Sequence, residues 1–298
     1  MLVSELIDEA LNEVLLGTYR GHFNQLDDAG IDDAQTDVIL LHSIRAVGEQ
    51  AYIEVDNELM YVAPGGVNES SKTLTVIRGV RGTTAAAHDP FAQIAINPRY
   101  PRILIMRAME AEIRSWPDQL YTTTAMTVEV TDSVVDLAAQ FARDDIIGVV
   151  KVLRQWSESG VTTDRWMRMR DYRFEKDAFD LGSADLFVNP CVTGSNIQIQ
   201  VAVPFGTDLV LDPGTDLIDD LGIHPGLQEV LKYGACYRLV TGKETRRLFT
   251  ETEAESRLAA DVPATALLTL AGALKRMRDE RLGNEIFRLQ SRYGLSRV

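Results

Sequence analysis

The apolar residues of this chain change their repeat several times, and those changes limit what it can fold into. Leu2, Leu6, Ile7, Ala10, Leu11 and Val14 recur at three- and four-residue steps, so residues 3–16 read as an amphipathic helix that Gly17 ends. Short alternating runs follow: DVILLHSI, QAYIEV, ELMYVA, TLTVIRGV and FAQIAI, five strands in about 60 residues. Asp56-Asn57 reads as a hairpin turn, with Pro64-Gly65-Gly66 and Gly79–Gly82 as corners. Helical spacing returns after Pro101 at Ile103, Ile105, Met106, Met109, Ile113 and Trp116, and Pro117 stops it. A second alternating region spans roughly 124–212, in TMTVEV, IIGVVKVLRQW, DRWMRMRDYRF, DLFV and NIQIQVAV, with Ile197, Ile199, Val201 and Val203 on one side. The chain closes helically. Leu227, Val230, Leu231, Tyr237 and Leu239 mark one helix. Pro263 opens a second, whose stripe runs through Leu267, Leu270, Leu274, Met277, Leu282, Ile286, Leu289 and Tyr293.

A stretch with helical spacing cannot bury its apolar face as a strand, nor the reverse. The expected fold is therefore α+β: a discontinuous helical domain (1–36, 98–123 and 222–298) interrupted by a small β-barrel-like module (37–97) and a larger β-sandwich-like module (124–221). At 298 residues, 45% of them apolar, the chain has material for two cores.

Charge is the next constraint. The net charge is −14, and residues 1–70 hold fourteen carboxylates against Arg20 and Arg45, a local balance of −12. Such a chain is a poor non-specific ligand for nucleic-acid phosphates, and the asymmetry implies a face that meets or avoids a charged partner. The opposite sign gathers at the other end, where Lys275, Arg276, Arg278, Arg281, Arg288, Arg292 and Arg297 outnumber Asp279, Glu280 and Glu285 by four. That cationic helix either complements its own dipole or docks on an acidic surface, such as the acidic region of a neighbouring copy.

The acidic start lacks the basic and continuous apolar segments of a secretory signal, so no export is expected. ATALLTLAGAL, residues 264–274, falls short of the roughly 20 residues that span a bilayer, so no membrane partner is expected. Cys191 and Cys236, far apart in a large chain, read as buried thiols of a reduced compartment.

Catalytic patterns are missing from the sequence. There is no phosphate-cradling glycine loop with lysine and no nucleophile elbow, and His22, His42, His88 and His224 are scattered without metal-ligand spacing. Asp27, Asp28, Asp32 and Asp33 lack the alternate oxygens and distal Glu of a calcium loop, and read as a solvated acidic loop. RGVRGT, residues 78–83, reads as a tight turn with solvated arginines rather than an anion grip. RQWSESGVTTDRWMRMRDYRFEK mixes aromatics with Arg154, Arg165, Arg168, Arg170 and Arg173. A platform for single-stranded nucleic acid has this composition, but so do strands with aromatics in the core and arginines outside, on a surface buried between subunits. The second is the expectation. No enzyme activity, cofactor or metal is expected.

One pattern carries a resemblance. ELMYVAPGGVNESSKTLTVIRGVRGTTAAAHDPFAQI, from Glu58 to Ile94, has a Glu-led strand, a strand ending Arg-Gly, then Gly-Thr and a following His. It resembles a pattern of structural proteins in tailed bacteriophages. The helical frame, with Arg107, Ala108 and Glu110 after Pro101 and the stretch PGLQEVLKYGACYRLVTGKETRR, resembles head-to-tail adaptor (connector) proteins. The resemblance covers about two thirds of the chain, and the 124–212 insert makes it much longer than the smallest adaptors.

What the resemblance implies is a non-enzymatic component of the virion neck, made in the host cytoplasm: a dodecameric ring under the portal protein, bridging it to head-completion or tail proteins. DNA would pass through without specific binding, repelled by Asp27, Asp28, Asp32 and Asp33, while Lys275, Arg276, Arg278, Arg281, Arg288 and Arg292 dock on the portal or the next subunit. The Asp-rich stretch 18–36 is the segment expected to order only on assembly. Alternatives are a tail-terminator or baseplate component, or a carbohydrate-binding tail-tip protein.

Overall fold

A computed structural model describes residues 1–15, 22–32, 37–139, 141, 145–156, 165–179, 183–205, 209–251 and 264–292, with backbone alone for 243–251, 264–267 and 292. Four α-helices and thirteen strands in three antiparallel sheets lie among these residues, an α+β protein. The contacts divide the chain into two compact units. One comprises Met1–Glu112, Val210–Asp216 and Gln228–Arg278; the other comprises Ile113–Leu209, Leu217–Leu227 and Asp279–Val298.

The first unit begins with α1 (Val3–Glu9), where the Glu5 carboxylate accepts the Leu2 N–H at 2.8 Å and satisfies a donor at the helix start. A π-helical segment, Ala10–Leu15, continues it and buries Ala10 and Leu15. Six strands follow: β1 (His22–Gln25), β2 (Val38–Leu40), β3 (Tyr52–Val55), β4 (Glu58–Asn68), β5 (Thr73–Ile77) and β6 (Gln93–Ile96). Their order is β1-β6-β3-β4-β5-β2, and a Leu26–Leu41 bridge, with the bonds Asp27 N to Leu40 O and His42 N to Gln25 O, joins the two outer strands. Alternation sends Leu26, Ile39, Ile53, Met60, Leu74 and Ile94 into one core, each worth about 2 kcal/mol in water-exclusion terms.

The Asp56-Asn57 turn forms as expected, with Asp56 at a φ of 50°. Pro64-Gly65-Gly66 is different. It is no corner between strands but an irregularity inside β4, where the register against β5 slips between Val62 and Val67. A side chain at Gly66 would meet the Thr75 carbonyl at 2.7 Å, so only glycine fits there. The stretch 18–36 also departs from expectation, because β1 pairs along its whole length with β6, and Ile31 bridges His88. Positions 18–21 and 33–36 lie outside the described residues.

Helix α2 (Arg102–Ile113) starts straight after Pro101. Its first N–H, that of Arg102, donates to the Glu54 carboxylate of β3 at 2.7 Å. Trp116 lies beyond the helix end. Helices α3 (Pro225–Glu251) and α4 (Ala264–Arg292) contribute residues to both units. Within the first unit, α3 buries Val230, Leu231, Ala235, Cys236 and Val240, and α4 buries Ala271 and Leu274. Glu112 of α2 is buried between them, accepting from Arg238 Nε of α3 and Arg278 Nε of α4, each at 2.7 Å. Its carboxyl lies so close to Gly234 that a Cβ there would overlap it. Lys232 of α3, buried, reaches Glu9 at 3.1 Å and Glu13 at 2.7 Å, tying α1 to the same helix.

The second unit holds two sheets on one core. The sheet β10-β9-β13-β7 comprises β7 (Thr122–Glu129), β9 (Gly148–Trp156), β10 (Arg165–Arg168) and β13 (Asn196–Val203). The sheet β11-β12-β8 comprises β8 (Val134–Asp136), β11 (Tyr172–Lys176) and β12 (Ala184–Val188). Val149, Val152, Ile197, Ile199 and Val201 from the first meet Phe174, Leu186 and Val188 from the second. The stretch DRWMRMRDYRF is thus not one strand but two, β10 and β11, in different sheets.

Candidate functional site

The residues behind the resemblance come together at one buried carboxylate. Glu58 opens β4, Arg78 follows β5, and His88 sits in the connection to β6. Glu58 accepts from Arg78 Nε and a terminal guanidinium nitrogen (2.6 Å each), the Gly79 N–H (3.0 Å), the Ala86 N–H (3.1 Å) and His88 Nε2 (2.9 Å). His88 Nδ1 meets Asp56 at 2.7 Å. The side chains of Arg78 and Glu58 are 5% and 1% exposed.

Burial opposes a charge on Glu58, but the hydrogen bonds from Arg78, His88, Ala86 and Gly79 outweigh it and hold its carboxyl at about 2. Burial likewise opposes the imidazolium of His88, yet its two carboxylate partners raise it to about 9. Asp56 is lowered, chiefly by its bond to His88. The reading of RGVRGT as a turn with solvated arginines holds for Arg81, which is exposed, and is corrected for Arg78. Arg78 is buried and ion-paired, and Arg81, at a φ of 58°, lies over the Tyr52 ring at 4.3 Å. The anion that Arg78 grips is internal. With both imidazole nitrogens bonded to carboxylates, the cluster is suited to holding the long β5–β6 connection.

A cavity of about 590 Å³ in the same unit is lined by Asp8, Leu11, Glu54, Phe23, Tyr100 and Arg102, among others. Burial raises Glu54 to about 7, against the opposing effect of Arg102. The Tyr100 hydroxyl is buried and has no hydrogen-bond partner among the described residues. Arg102 is committed to Asp8, Asn57 and the Ser4 carbonyl. Among the described residues, no group of three or more His, Cys, Asp or Glu side chains is arranged to hold a metal ion.

The acidic region divides on folding. Glu9, Glu13, Asp8, Glu54, Asp56 and Glu58 are taken up by Lys232, Arg102, a helix N-terminus and the Glu58 cluster. Asp28, Asp32, Asp37, Glu49 and Glu69 stay exposed and Asp27 half-exposed, none of them in an ion pair among the described residues. Asp33 lies outside the described residues.

The basic helix divides too. Arg278 is held by Glu112. Arg288 meets Glu285 at 3.0 Å and His224 at 2.9 Å in the second unit, and burial together with the Arg288 charge lowers His224. Lys275, Arg276 and Arg281 are exposed; the Arg292 side chain lies outside the description. The apolar stripe of α4 is only partly covered: Leu274 is buried, Leu270, Leu282, Ile286 and Leu289 are half-buried and Met277 is exposed, while Leu268 and Phe287, off the stripe, face solvent.

Two expectations fail in the β10–β11 region and its neighbour. Phe174 is in the core, but Trp156 and Trp166 are exposed, because the β9–β10 ribbon carries them past the second sheet. Cys191 is exposed in a 3-10 turn, while burial pushes Cys236 up to about 12. Sequence reasoning missed Glu112, Glu54 and Lys232. A buried charge on an apolar helix face was the available signal: Glu112 falls beside Met109 and Ile113, and Lys232 beside Leu231. No helix among the described residues is long and apolar enough to cross a membrane. No family model matches the chain, and no curated protein matches it.

Proposed function

We propose that this chain is a structural head-to-tail adaptor of a tailed-phage virion, acting by shape and surface rather than by bond-making. Copies close into a ring beneath the portal, bridge it to head-completion or tail proteins, and let DNA pass. In this reading a barrel-like module (37–97) and a sandwich-like module (124–221) are inserted along the chain between the helical segments 1–36, 98–123 and 222–298.

The observation that carries the reading is the sorting of charge left after internal pairing. Asp27, Asp28 and Asp32, in no ion pair among the described residues, cluster in one short stretch. Exposed Lys275 and Arg276 share α4 with uncovered Met277 and Phe287. Like-charged acids facing a lumen would repel passing phosphates within a Debye length of roughly 8–10 Å, while a cationic helix with exposed apolar residues suits a protein partner.

Electron microscopy of the purified chain, alone and with portal-bearing heads, tests this. An annular particle seated on the portal is expected. A trimer with sugar affinity would favour the tail-tip alternative, and a consumed substrate would end the structural reading. Truncating α4 is a poor probe, because Arg278 neutralises buried Glu112. Lys275→Glu with Arg276→Glu isolates docking, and should abolish attachment to heads while leaving the thermal melt unchanged.

A further inference from the structure

The β9–β10 ribbon overhangs its own core. In a sandwich-like pair of sheets, alternate residues of a strand face the opposing sheet, and Val152 of β9 does so. Two and four residues on, Arg154 and Trp156 lie on that same face, as do their cross-strand partners Met167 and Arg165 of β10. Yet every residue of β10 is exposed, and Trp156, Trp166 and Met167 are 49%, 37% and 56% accessible. On the other face Trp166 and Arg168 lie opposite Gln155 and Leu153. β10 is also the outer strand of its sheet, with one backbone edge unpaired by any described strand. Arg154 is anchored on Ser195 Oγ at 3.1 Å, whereas Arg165, Arg168 and Arg170 form no ion pair among the described residues. Exposed tryptophan, methionine and arginine on one strand pair is the composition of an interface centre. A bare, apolar edge strand is otherwise an aggregation hazard.

We infer that this ribbon is the arm by which one copy of the chain grips the next, docking on the outer face of β2 and β5 of the neighbouring copy. The occupant is identified by complementarity. Val38 and Leu40 of β2 and Ile77 of β5 are exposed, and the pairing of Val38 with Thr75 and of Tyr61 with Ile77 sets Val38, Leu40, Ile77 and Tyr61 on one outward face. Beside these strands lie two exposed acids, Asp37 directly before β2 and Glu69 directly after β4, in no ion pair among the described residues. Apolar meets apolar, and Arg165 and Arg168 meet Asp37 and Glu69. The two surfaces differ from each other, so the contact is heterologous and propagates head to tail, as a ring requires. The inference rests on the ring reading and names the contact that closes it.

The test uses the full chain, its mass followed by light scattering over a concentration and salt series, with micrographs of the assembled peak. Arg165→Glu with Arg168→Glu should weaken self-association by about a hundredfold or more, as like charges are forced together, without shifting the melt. Adding Asp37→Lys and Glu69→Lys to the same chain should restore assembly. Rings that form unimpaired in the arginine variant overturn the ribbon assignment and leave the ring intact. A wild-type chain that stays monomeric at every concentration overturns both. Quenching of Trp156 and Trp166 fluorescence by a single-stranded oligonucleotide, with self-association unaffected by the arginine variant, would assign the ribbon to nucleic acid instead.

Discussion

Replacing Glu58 by Gln keeps the shape of the side chain and removes only its charge. Arg78 and His88 then stay buried as cations, with exposed Asp56 the nearest counter-charge. The amide nitrogen that replaces one oxygen faces donors, because both oxygens of Glu58 accept from Arg78 and from main-chain N–H groups. Removing one partner of a buried ion pair costs about 3–5 kcal/mol. For a unit of this size each kcal/mol moves the midpoint by roughly 2–4 °C, so the melt should fall by roughly 10 °C. Urea unfolding followed by circular dichroism should return the same loss, with the slope unchanged. A second readout separates charge from packing: the His88 imidazole, followed by NMR, should titrate near 9 in the natural chain and well below that in Glu58→Gln. A loss under about 1 kcal/mol, or a natural His88 that titrates near 6.5, would refute the idea that this carboxylate holds the β5–β6 connection together.

The same cluster dictates a pH profile. His88 keeps its proton in the folded state up to about 9, so its contribution is complete below 6.5 and is lost as pH rises through 9; that of Glu58 is complete above 4.5 and is lost as pH falls through 2. Denaturant midpoints should therefore decline from pH 6.5 to 9.5, and a flat profile would contradict the imidazolium. Gly234→Ala, which drives a methyl into the Glu112 carboxyl, should cost about 1–3 kcal/mol in denaturant unfolding, and no loss would mean that α2 and α3 are further apart than described. Ellman's reagent should titrate one thiol, Cys191, in the native protein and the second, Cys236, only after unfolding; two fast thiols would put α3 outside the core.

The helices and most strands were legible because burial imposes a period, and α4 ends within a residue of its apolar stripe. Strand β1 was not, since HFNQ has one apolar residue, Phe23, and that residue points outward; its pairing with β6 is made by backbone groups that leave no mark on side-chain choice. The slip inside β4 read as a corner because Pro-Gly-Gly marks turns and bulges alike, and only the partner strand distinguishes them. The fate of Arg78 was hidden for a related reason. Nothing local says that its counter-charge stands 20 residues earlier in the chain. Trp156 and Trp166 show the limit of alternation: it assigns a residue to a face, but not whether the opposing sheet extends far enough to cover it.

The five-donor carboxylate also determines what its sequence signature means. Glu58, Arg78-Gly79 and His88 hold a connection of irregular backbone between β5 and β6, while Val80, Arg81 and Thr84 in between make no bond to it. A chain can therefore drift freely around these anchors and still fold this module, and an unrelated chain that needs the same long connection has reason to arrive at the same anchors. Spotting the signature elsewhere should announce a building block, and leave open what machine the block was put into.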